Sequence, residues 1–151
     1  MFYLILKWLH ILCAITALGA NITYFLWLIR MDKNREALLF TLRTIKVMDD
    51  RMANPAYVLA FFTGAGMLSI AKLSYTTPWV LTALIIYALV SVLGIFVYSP
   101  LLKKQIKLAE NPGPDSGEYK RAASQGIYLG VLITALVIGI TFLMVLKPHV
   151  W

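Results

Sequence analysis

Four apolar runs, each long enough to cross a bilayer, decide what this chain can fold into. They lie at about 2–29, 53–73, 79–98 and 127–146. A spanning helix needs about 20 mostly apolar residues. In hydrocarbon every backbone N–H and C=O must be paired within the protein, and runs of this length achieve that as helices. The sequence therefore predicts an all-α fold. It is a four-helix transmembrane bundle, a single integral membrane domain over residues 1–151.

Charge sets the orientation. Fourteen Lys and Arg against seven Asp and Glu give a net charge of +7. The cations are not spread as in a nucleic-acid binder. Arg30, Lys33, Arg35, Arg43, Lys46 and Arg51 lie between the first two runs, and Lys103, Lys104, Lys107, Lys120 and Arg121 between the last two. Lys7, Lys72 and Lys147 lie near the opposite ends. The positive-inside rule then places both basic connections in the cytoplasm and both termini outside. Anionic headgroups attract the basic connections, so lipids are expected partners and nucleic acid is not. A cleaved signal peptide fits the first run poorly, because no basic segment precedes it and the cations follow it. Cys13 is the single cysteine, which excludes an internal disulfide.

Proline and glycine punctuate the chain. Asn54-Pro55 suits a helix start, with Asn54 as cap and Pro55 in the first position. Thr77-Pro78 suits another. Ser99-Pro100 ends or kinks the third span. Residues 111–117 read as a loop, and Lys147-Pro148 closes the last helix. Between the first two runs, Leu38, Leu42, Ile45 and Met48 recur at helical spacing among Arg35, Arg43 and Lys46. That pattern predicts a short amphipathic helix, either lying in the headgroup layer or extending a span. A solvated basic linker is the alternative. Asp49-Asp50 sits just before the second span, favouring its positive helix end or pairing with Arg51.

The first span carries a polar stripe. Lys7, His10, Ala14, Ala17, Asn21 and Tyr24 alternate by three and four, which places them on one helix face at about 3.6 residues per turn. Such a face should look into the bundle or a wet cavity. Asn21 needs a partner, most simply an interhelical hydrogen bond. His10 lies roughly 12 Å inside the outer end of the helix at about 1.5 Å per residue. It is either a neutral histidine bonded to Ser, Thr, Tyr or a carbonyl, or a metal or haem ligand. Met67 and Tyr87 lie at about its depth. His10 and Met67 would suit axial haem ligation, with Gly139 leaving room for a flat macrocycle. Cys13 with His10 would suit a soft metal instead. His149 lies beyond the last span and reads as interfacial.

The glycines of Thr63-Gly64-Ala65-Gly66, with Gly126, Gly130 and Gly139, suit close helix contact or space for a planar ligand. All seven acidic residues fall outside the four runs, which argues against a proton pump or cation transporter. No serine triad, zinc motif or phosphate loop is evident.

Lys7-Trp-Leu-His10-Ile-Leu, Asp50-Arg51 with Asn54-Pro55, Thr63-Gly64, Tyr98-Ser-Pro100-Leu-Leu-Lys-Lys and Leu146-Lys-Pro148 resemble a bacterial family of small four-span integral membrane proteins of unknown function. More distantly, the Lys-x-Leu-His start, the Pro and Thr-Gly of the second span and the closing Lys-Pro are similar to HemJ-type protoporphyrinogen oxidases. That resemblance implies haem binding at His10. The HemJ-type lysine and histidine of the third helix are missing here, and the fourth span opens Gly126-Ile-Tyr-Leu rather than with an acidic residue. The resemblance therefore does not carry the oxidase activity across. Together these readings predict a protein of the bacterial inner membrane that holds a b-type haem or porphyrin. His10 is the iron ligand, Met67 a second ligand and Lys7 a partner for a propionate. The rival reading is a cofactor-free accessory subunit of a larger membrane complex. A transporter is the third, and would need a homodimer to enclose a path.

Overall fold

In the computed structural model the four apolar runs become four antiparallel rods, described over residues 1–30 and 34–147. Lys33, Pro148 and His149 lie outside the described residues. The first rod is α1 (Phe2–Ile29). The second joins α2 (Arg35–Met48), a π-helical turn (Asp49–Ala53) and α3 (Asn54–Ala71). The third joins α4 (Pro78–Val92), a second π-helical turn (Leu93–Tyr98) and α5 (Ser99–Glu110). The fourth is α6 (Gly117–Leu146). All four are long and apolar enough to span a membrane.

The middle rods are 37 and 33 residues long, or about 55 and 50 Å at about 1.5 Å per residue. Hydrocarbon is only about 30 Å thick. Both rods therefore project beyond the membrane at the end that carries the basic connections. Within the bundle α1 packs on α3 and α6, and α4 on α6. In the projecting part α2 packs on α5, and α5 on α6.

Asn54-Pro55 does open α3, but no fresh helix begins there and the Asn54 side chain caps nothing. Pro55 has no N–H for the carbonyl one turn back. The chain answers with a π-helical turn in which the Asn54 N–H reaches Asp49 O. Ser99-Pro100 behaves alike: the Ser99 N–H reaches Gly94 O, and the rod continues to Glu110. Each π-turn inserts a residue into the helix, a known way to absorb such an interruption.

The amphipathic stretch after the first span extends the second span. Its apolar face buries Leu38, Leu42 and Ile45 in a cluster with Leu102 and Ala109 of α5 and Tyr119 of α6. Asn34 caps it by accepting from the Glu36 N–H at 3.1 Å. Ser116 caps α6 by accepting from the Tyr119 N–H at 3.2 Å. Gln105 locks α5 to α6: it is 3% exposed and donates to Ala122 O at 3.1 Å. Gly126 makes room for it, since a Cβ there would lie 2.2 Å from Gln105 Nε2. Asp50 pairs with Lys46, not with Arg51 as one sequence reading had it. The Arg43–Glu110 ion pair, 2.6 Å long, is largely exposed and contributes little. Phe62, Phe96, Tyr128 and Val145 point outward, as a lipid-facing surface requires.

Candidate functional site

The polar stripe of α1 resolves into two separate places. Nearer the termini, His10 faces α3. Its Nδ1–H donates to Ala60 O at 2.9 Å and approaches Thr63 Oγ1 at 3.1 Å. A carbonyl oxygen only accepts, so Nδ1 carries the proton and the neutral ring keeps its lone pair on Nε2. Thr63 Oγ1 in turn donates to Leu59 O at 2.7 Å. Gly64 lets the helices close on the ring: a Cβ there would lie 3.1 Å from His10 Cε1. His10 therefore clasps α1 to α3.

The other predicted site residues do not join it. Gly66 faces Leu6, so in this antiparallel pair Met67 lies about one turn beyond His10 toward the termini. Lys7 is exposed. Among the described residues no hydrogen bond or ion pair links either to His10, and no three His, Cys, Asp or Glu side chains converge as a metal-holding group. The lone pair of Nε2 fits an iron ligand. The tight α1–α3 contact at Gly64 leaves no slot for a macrocycle between those two helices.

The second place is a cavity of about 120 Å³ nearer the basic end, between α1, α3, α4 and α6. Asn21, Tyr24 and Phe25 of α1 line it, with Asn54 and Tyr57 of α3, Tyr87 and Ser91 of α4, and Gly130 and Thr134 of α6. Both π-turns contribute as well, Asp49 from the first and Gly94 and Tyr98 from the second. The two proline interruptions thus meet at one cavity.

Its polar groups are mostly paired. Asn21 Nδ2 donates to Tyr57 Oη at 2.7 Å, the interhelical bond expected of Asn21. Tyr87 Oη donates to Tyr57 O at 3.1 Å, and its ring stacks on Phe61 with centroids 5.7 Å apart. The Asp49 carboxylate, 9% exposed as a residue, takes a hydrogen bond from Asn54 and lies 3.9 Å from Lys46 Nζ. Tyr24, Tyr57 and Tyr98 line the cavity with it.

The Tyr24 hydroxyl is an exception. Tyr24 is 4% exposed, and its hydroxyl has no hydrogen-bond partner among the described residues. A buried hydroxyl without a partner costs about 1–3 kcal/mol. The sequence places Tyr24 on the right stripe, but Asp49 reads there as a loop acid and Tyr57 as one more aromatic of a span. The two X-Pro steps are the signal that could have brought them together.

A family model described as predicted integral membrane protein (DUF2269) matches residues 4–148, and the chain belongs to that family. Neither a curated protein nor a solved structure matches it.

Proposed function

For a chain of this membrane family, we propose that the tyrosine-lined cavity is the working site and that the protein binds a small polar molecule there. The observation that carries this reading is the unpartnered Tyr24 hydroxyl, buried in a cavity that Asp49, Asn21 and Tyr57 also line. A pocket with a few convergent polar groups is the default binding site. A volume of about 120 Å³ has room for a small molecule. We further propose that the protein sits in a bacterial inner membrane with its basic end in the cytoplasm and both termini outside, which the lysine and arginine asymmetry supports.

Gly94 provides the test. It lines the cavity, and a Cβ there meets nothing within 4 Å. Gly94→Leu adds bulk at the cavity wall without a clash at its Cβ. Protein extracted from its membrane in polymer-bounded discs is denatured, and the released small molecules are compared by mass spectrometry. A polar compound near equimolar with the wild type and absent from Gly94→Leu is expected. Identical extracts overturn the reading.

A second reading keeps haem at His10. The Nδ1–H bond to Ala60 O favours it, because that bond orients an imidazole and leaves Nε2 available. A Soret band in the purified protein, lost in His10→Ala, would establish it. Absence of the band after expression with ample haem would remove it.

A further inference from the structure

Resting on the cavity reading, we infer that the cavity takes a small organic ammonium ion, with the Asp49 carboxylate as its counter-ion and the Tyr24 hydroxyl as a hydrogen-bond partner. The observations concern which groups are already engaged. Asp49 is the one carboxylate among the cavity's lining residues. Its nearest cation, Lys46 Nζ, forms a loose ion pair with it at 3.9 Å and pairs more closely with Asp50. Asn54 supplies a neutral donor only. Two carboxylates share the single Lys46 ammonium, so a further cation at Asp49 would complete the balance of a carboxylate that is costly to bury ionised.

The surroundings suit an ammonium ion. Tyr24, Tyr57 and Tyr98 line the same cavity as Asp49. Tyr24 Oη has both lone pairs free. Aromatic rings attract cations through their faces, and Phe25 adds a further ring to the lining. A volume of about 120 Å³ suits a small ligand. An anion would be repelled by Asp49.

Ethanolamine and ethylene glycol form the matched probe pair: about equal in size, one cationic and one neutral at neutral pH. Dissociation constants are measured on the full-length protein in detergent, by thermal shift and by calorimetry, for wild type, Asp49→Asn and Gly94→Leu. Replacing a neutral hydrogen bond by a charge-assisted one predicts about tenfold tighter binding of ethanolamine. That preference should vanish in Asp49→Asn, which keeps the side chain's shape, and both probes should fail on Gly94→Leu. Equal affinities in wild type, lost in Gly94→Leu, overturn the cation assignment and leave the cavity reading standing. Ethanolamine binding that survives Gly94→Leu lies elsewhere and overturns both. If neither probe binds while the extracted wild type carries a neutral or anionic compound, the cation assignment alone falls. If Asp49→Asn does not fold, the probe preference in wild type still decides.

Discussion

The Asn21 amide on α1 donates to the Tyr57 hydroxyl on α3 across 2.7 Å. The bond occupies a lone pair of Tyr57 and leaves its phenolic proton free to point into the cavity that both residues line. It ties the helices together and also directs a donor toward the site. Interhelical hydrogen bonds in membranes average about 0.6 kcal/mol and reach about 1.7. Asn21→Leu and Tyr57→Phe should each destabilise within that range, and the double mutant should cost no more than the larger single change. Unfolding titrations in SDS measure this. Fully additive losses would contradict a direct bond.

His10 and Gly64 should be coupled in the opposite sense. A Cβ on Gly64 would crowd His10 Cε1 at 3.1 Å. Gly64→Val then overpacks the contact, at about 1–3 kcal/mol. His10→Ala makes room for the added groups, so Gly64→Val should cost clearly less in that background. Equal costs in both backgrounds would mean that the ring does not pack on Gly64.

The antiparallel spans and the helical stripe of α1 are legible in the sequence, because long apolar runs and a three-four alternation of polar residues have few other readings. Asn21 announces its need for a partner in the same way. The cavity is not legible. Asp49 lies before the apolar run, where an acid reads as solvated. Only the π-turn at Pro55 makes α2 and α3 one rod and puts Asp49 on the wall of the cavity that Tyr24 also lines. Ser99-Pro100 reads as an end or a kink of the third span, which does not reveal that Tyr98 lines a cavity. The depth matching that placed Met67 level with His10 missed by about one turn, because span ends estimated from hydropathy do not fix how α1 and α3 slide against each other.

Outside the apolar region, the Gln105 lock should be measurable. Gln105→Leu removes a buried bond to Ala122 O, worth about 1 kcal/mol. Gly126→Ala should act through the same contact by displacing the amide. Thermal unfolding should show that Gly126→Ala costs much less when Gln105 is already Ala. An unchanged cost would place the strain elsewhere.

Orientation is tested by fusions. Alkaline phosphatase at the C-terminus should be active, and GFP there dark, if both termini lie outside. A phosphatase inserted between Gly113 and Gly117 should be inactive. An inactive C-terminal phosphatase with fluorescent C-terminal GFP would reverse the topology and put the cavity's nearer end on the outer side.

The most direct measurement is a density map of the wild-type protein in lipid, sharp enough to show ordered water. The account predicts density in the cavity within hydrogen-bond distance of Tyr24 Oη, bridging toward Asp49. A cavity closed by protein side chains, with the Tyr24 hydroxyl bonded to one of them, would contradict it.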